Sequence, residues 1–175
     1  MEQKPAQPTN WHRQAVGGMW DEIGDLQFNF MVSQGLKPTD YLLDVGCGSL
    51  RGGVRFIKYL EVGHYYGVDK NQDLLDAGRD IELVSYNLVD KNPQLLQIDD
   101  FNFASLNQKF QFAIAQSVFT HLYFNHVVRC LVSMAQVLRP GGRFFATFFE
   151  NSQGKFNLKP IYQPGLEDYT YFDAD

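Results

Sequence analysis

A short apolar run, Tyr41-Leu42-Leu43-Asp44-Val45, stops at Gly46-Cys47-Gly48 and gives way to a helical pattern at Val54, Phe56, Ile57 and Leu60. The run is too short for a helix and too apolar for an exposed loop, so it reads as a buried strand. A strand that turns sharply into a helix carries the chain back along the sheet, and the next strand then lies parallel to it. The same unit recurs. Tyr65-Tyr66-Gly67-Val68-Asp69 is a second strand, and Leu74, Leu75, Ala77, Ile81, Val84 and Leu88 mark a helix with Asn71 as its cap. Residues 94–98 and 110–116 are the third and fourth strands. Between 124 and 138, Phe124, Val127, Val128, Leu131, Met134, Ala135 and Leu138 form a helical stripe, with Cys130 read as part of it. Arg139-Pro140-Gly141-Gly142 ends that helix and 143–149 is a fifth strand. Strands alternating with helices in units of about 30 residues imply a mostly parallel sheet covered on both faces, a doubly wound α/β fold.

The rest of the chain adds little regular pattern. Residues 1–10 are polar, with two prolines and no apolar signal core, and read as a mobile leader. Residues 11–35 carry Val16, Met19, Trp20, Ile23, Leu26, Phe30 and Met31 at helical steps, with Gly17, Gly18 and Gly24 as breaks. Residues 151–175 are polar and aromatic and have no assignable element. The expected organisation is one domain over 11–175, with a helical segment at 11–35 and a core at 40–150. A net charge of −5 and the lack of a basic block give no electrostatic case for nucleic acid. No run approaches the ~20 apolar residues of a membrane span. The two cysteines form no disulfide framework and no metal-ligand pattern, which points to a reduced, cytoplasmic protein.

The chemistry concentrates at the strand ends. Gly46 and Gly48 allow a tight turn and a close approach of backbone to ligand, and the helix beyond supplies free N–H groups. This is where doubly wound sheets bind ligands, although a tight turn that binds nothing remains an alternative. Asp44 lies two residues before the turn, where a pyrophosphate is disfavoured. Asp69 ends the second strand, where a carboxylate accepts from ribose hydroxyls. Asp99-Asp100-Phe101 follows the third strand, placing a carboxylate and an aromatic ring where an exocyclic amine and a purine can meet them. A dinucleotide site would need glycine at 51, and that position is Arg51. Carboxylates without a phosphate cradle suit a cationic nucleoside.

Four motifs in order carry a resemblance: Leu42-Leu43-Asp44-Val45-Gly46-Cys47-Gly48; Tyr66-Gly67-Val68-Asp69; the stretch from Phe110 to His121-Leu122; and Leu138-Arg139-Pro140-Gly141-Gly142. Over residues 40–150 the chain resembles class I S-adenosylmethionine-dependent methyltransferases of the type 11/12 group. The resemblance implies a Rossmann-like methyltransferase fold. It also implies that Asp44, Gly46, Cys47 and Gly48 lie against the methionine part of S-adenosylmethionine. Asp69, with Lys70 beside it, would hold the ribose, and Asp99 or Asp100 with Phe101 the adenine. Gln116 and Ser117 would face the methyl end and a small-molecule acceptor. The family's third loop glycine is Leu50 here, so a slightly different loop path is expected. The sequence to Asp175 has room for the fifth strand and a loop only, so either a fragment or a sheet truncated at that edge is expected, and an edge of Phe144, Phe145, Phe148 and Phe149 would then be open to pairing.

His121, just past the fourth strand, is the candidate general base. Trp11, Trp20, Tyr123 and the tail tyrosines are candidate pocket aromatics, and no metal site is expected. Two other readings stay open: a nucleoside-binding module that methylates nothing, and an NAD-binding oxidoreductase domain, which Arg51 disfavours.

Overall fold

The computed structural model describes residues 10–148, so the expected leader, the tail and Phe149 lie outside the described residues. Five parallel strands form one sheet: β1 (Leu42–Val45), β2 (Tyr65–Asp69), β3 (Gln94–Gln97), β4 (Phe110–Ala115) and β5 (Leu138–Ala146), in the order β3-β2-β1-β4-β5. The chain moves outward from β1 to β3 and then returns to the other side of β1. The switch in direction falls between β1 and β4, and it is at the carboxyl ends of such strands, where the crossovers on the two sides diverge, that sheets of this kind form a crevice.

Strand alternation divides the core. Leu42, Tyr65, Phe112 and Ile114 face one layer, which contains Met31, Val54, Phe56, Ile57, Leu75 and Leu83. Those residues come from α2 (Trp20–Ser33), α3 (Gly53–Tyr59), α4 (Gln72–Ala77) and α5 (Leu83–Ser85). Leu43, Val45, Val68, Ala113 and Ala115 face the other layer, against Phe103 and Leu106 and against Cys130, Met134 and Val137 of α6 (Phe124–Val137). Because side chains alternate with period two, Asp44 shares the face of Leu42 and is buried under helices. Asn71 caps α4 as expected, its Oδ1 accepting from the N–H groups of Asp73 and Leu74. Between α4 and α5 the helix widens into a π turn over Gly78–Glu82.

Three readings of the sequence are corrected. In α6 the buried line is Cys130, Met134 and Val137, while Phe124, Val128, Leu131 and Val132 point outward, Phe124 being 73% exposed. A helix apolar on two faces has no single stripe, and only the packing chooses between them. In α2 the buried line is Trp20, Gly24, Gln27 and Met31, leaving Leu26 exposed. Gly24 does not break that helix. A β-carbon there would lie 2.6 Å from the Arg51 carbonyl oxygen, so glycine lets α2 pack directly on the start of α3. The break falls at Gly17 and Gly18, both at positive φ, and separates α1 (Trp11–Ala15) from α2. Finally, β5 starts at Leu138, not at 143. Its pairing jumps from Phe110–Leu138 to Phe112–Arg143, so the Arg-Pro-Gly-Gly segment is a bulge within the strand. On the outer edge Phe144 and Phe145 are half-buried and Phe148 is exposed. Phe145 packs edge-on against Phe30 at 5.1 Å.

Candidate functional site

The turn after β1 is tied to β2 at three points. The N–H groups of Gly46 and Cys47 both donate to the Val68 carbonyl, at 2.8 and 3.1 Å. The Gly48 N–H donates to Asp69 Oδ2 at 2.8 Å. Asp69 Oδ1 accepts from the Asn71 N–H at 2.9 Å, so the carboxylate spans the two loops at the mouth of the crevice. Each of its oxygens keeps a second lone pair. The site therefore presents an oriented acceptor pair whose direction is fixed by backbone.

Gly46 and Gly48 both have positive φ, +71° and +54°. The space their missing β-carbons leave is filled by protein. Val118 occupies it at Gly46, and a β-carbon at Gly48 would sit 2.5 Å from Val16 Cγ1. Gly46 is exposed and Gly48 is buried, so only the first glycine is open to the surface. Leu50 takes φ +76°, a region that glycine enters freely and leucine does not. The left-handed conformation expected of a glycine is thus kept despite the side chain, which fills the room left by Gly53 and Gly78.

Asp44 lies beneath the turn. Tyr65 OH donates to its Oδ2 at 2.7 Å, and only 4% of the residue is exposed. Burial pushes its pKa up to about 7, the nearby Asp69 adding to the rise and the Tyr65 hydrogen bond and Arg51 opposing it. Cys47 is a free, buried thiol, and burial and the same two carboxylates push it well above its ordinary range.

At the end of β3, Asp99 is exposed and Asp100 is engaged. Asp100 Oδ1 accepts from the Asn102 N–H at 2.9 Å, and its other oxygen lies 3.9 Å from Arg129. Phe101, at φ +59°, packs edge-on to Phe103 at 6.1 Å. At the end of β4, Gln116 Nε2 donates to Ser117 Oγ at 3.2 Å and the Ser117 N–H donates to Thr147 Oγ1 at 2.7 Å, joining β4 to β5. Ser117 also has positive φ, +59°. Leu50, Phe101 and Ser117 are thus three left-handed residues, none of them glycine or asparagine, at the carboxyl edge, where such strain is associated with ligand sites. Lys70 is exposed beside Asp69, and His121 is exposed in the short turn Phe119–His121.

Sequence reasoning missed a second layer around the turn. Arg51 Nη1 donates to the carbonyls of Val16 and Gly18, at 2.6 and 3.1 Å, so its guanidinium is committed to backbone. Tyr65 and Thr147 read from the sequence only as strand residues, because the local pattern does not show which group a side chain meets on a neighbouring strand. Trp20 is buried, with its Nε1 donating to Tyr86 OH at 3.1 Å, and is therefore not a pocket aromatic.

The sequence profile of the methyltransferase domain family matches residues 43–144. That span is over half the chain and includes β1 to β5 almost entirely, so the protein belongs to the methyltransferase domain family, as the four motifs imply. An uncharacterised methyltransferase of Schizosaccharomyces pombe is 30% identical over 116 residues, which is 61% of this chain and 39% of that protein. The glycopeptide N-methyltransferase MtfA, in a crystal structure with S-adenosylmethionine, superimposes with a TM-score of 0.60 at 21% identity, covering 69% of this chain and 52% of that one. The precorrin 8W decarboxylase of Methanobacterium thermoautotrophicum superimposes with a TM-score of 0.59 at 20% identity, covering 85% and 68%. The doubly wound Rossmann-like fold is therefore shared across these proteins. The chain spans under half the length of the yeast relative and about half that of the glycopeptide enzyme. Among the described residues no helix is long and apolar enough to cross a membrane.

Proposed function

We propose that the chain binds S-adenosylmethionine at the switch-point crevice and transfers its methyl group to a small-molecule acceptor. The observation that carries this reading is the Asp69 carboxylate. It is held by two backbone N–H groups beside the exposed Gly46, with lone pairs left for a vicinal diol. The donor set fits a phosphate-free cationic nucleoside: Asp69, Asp99 and Asp100 are at the rim, and Arg51 is turned away to carbonyls.

Bound there, S-adenosylmethionine would supply an electrophilic methyl on a positively charged sulfur. Asp69 would hold the ribose, and Asp99 with Phe101 the adenine, Asp100 being occupied by its own turn. Gly46, Cys47 and Gln116-Ser117 would line the methionine end. Alignment and exclusion of water are what the protein must contribute, since the leaving group is already activated. A base is needed only where the acceptor must lose a proton, and His121 is the residue we assign to that role. Isothermal titration with S-adenosylmethionine and with NAD tests the reading: binding of the first and not the second is expected, and the reverse would overturn it.

The same titration carries a pH signature. Asp44 is raised in the folded protein, so its contribution to stability is full below its unfolded value near 4 and is lost as pH rises through about 7. A cationic ligand favours the ionised carboxylate. Binding of S-adenosylmethionine is therefore expected to release a proton near pH 7 and to weaken by up to about tenfold per pH unit below it. Titrations in buffers of different ionisation enthalpy read the proton directly. Asp44→Asn should abolish that dependence, and an unchanged proton release in the variant would remove Asp44 from the account.

A further inference from the structure

The amino-terminal helix α1 is fastened to the glycine turn by contacts that the reading above does not use. Glu82, in the π turn, is fully buried. Arg13 of α1 meets it with a forked pair of hydrogen bonds, Nε to Oε1 at 2.6 Å and Nη2 to Oε2 at 2.8 Å. His12 is also fully buried, its Nδ1 3.5 Å from Glu82 Oε1; neither ring nitrogen has a hydrogen-bond partner. Burial holds that imidazole below its ordinary range. Its carbonyl accepts from Ser49 Oγ at 3.3 Å, inside the turn itself. At the other end of the strap, Arg51 holds the Val16 and Gly18 carbonyls, and Val16 rests on Gly48.

A buried carboxylate paired with one arginine gains little net stability over an apolar replacement, but removing one partner leaves the other charge uncompensated. Its value lies in geometry. A two-bond fork fixes both the distance and the rotation of α1 relative to the π turn that follows α4. From Glu82 the contacts run without a gap through Arg13 and α1 to Val16, then to Gly48, whose N–H aims Asp69. We propose that Glu82 is a positioning residue for the cofactor-binding turn, acting through Arg13 and the strap formed by α1 and Val16. The ligand in this proposal rests on the function assigned above, but the mechanical coupling does not.

The coupling is measured first without ligand, by amide hydrogen exchange on Glu82→Gln, which keeps the shape and removes the charge. Faster exchange is expected over residues 11–18 and at the Gly48 amide, with β3 and α6 unchanged. Arg13→Ala should give the same pattern, the double variant should be no worse than either single change, and Arg13→Lys should recover part of the protection. Affinity for S-adenosylmethionine should drop about tenfold in Glu82→Gln. Wild-type exchange at Gly48 in Arg13→Ala overturns the proposal, as does a uniform rise across the whole sheet, which would mark a merely structural pair. Should Glu82→Gln fail to fold, the Arg13 variants decide the matter, since Arg13 is partly exposed. Should the wild type bind no S-adenosylmethionine, the assigned function fails while the exchange pattern still judges the coupling.

Discussion

Asp69→Ala is expected to weaken S-adenosylmethionine binding by roughly 1–3 kcal/mol, about five- to 150-fold, with the fold intact. Two losses combine. The diol loses its acceptor, and the Gly48 and Asn71 N–H groups lose theirs, so the turn and the start of α4 are released from each other. The two parts separate by ligand choice. With a 2′-deoxy analogue the wild type should lose most of the diol contribution, and the variant should lose little more on going to that analogue. Asp69→Asn retains one acceptor oxygen and should fall between the wild type and the alanine variant. Equal affinity of Asp69→Ala and wild type, measured calorimetrically, would falsify the placement of the ribose.

Leu50→Ala is expected to cost about 2–5 kcal/mol of folding stability, because a fully buried side chain leaves a cavity between Gly53 and Gly78. The informative comparison is Leu50→Gly. Glycine normally stabilises a chain less than alanine by roughly 0.5–1 kcal/mol. At φ +76° the order should invert, since alanine keeps a left-handed strain of about 1–2 kcal/mol that glycine escapes. Urea unfolding of the two variants checks this. An alanine variant more stable than the glycine variant would show that the turn does not hold residue 50 in that conformation.

Both results bear on how the site is built. The sequence reading treated the glycines as room for a ligand. In the folded chain they are chiefly room for Val118 and Val16, and the exposed part of the turn narrows to Gly46. The pattern of glycines was legible because positive φ is a property of the local backbone. What fills the vacated space depends on side chains from residues 16 and 118, remote from the turn in the chain, and no local pattern announces them. Arg51 is the same case: its type was noticed, but its partners are carbonyls some 30 residues away, on the strap.

Strand and helix identities, their order and the parallel sheet were fixed by local apolar runs and punctuation, as Asn71 and the Leu42–Val45 run show. The positions of Asp69 and of the carboxylates after β3 followed from those strand ends, since a parallel sheet gathers all its carboxyl ends on one edge. Helix faces were less legible. In α6 two apolar lines compete, and in α2 the buried line contains a glycine and a glutamine, so hydrophobicity alone selects the wrong residues. Only tertiary contact decided that Asp44 would be buried against Tyr65 and that Glu82 and Arg13 would pair across 69 residues. Electrostatics and close packing act through space, whereas periodicity records only what neighbouring residues share along the chain.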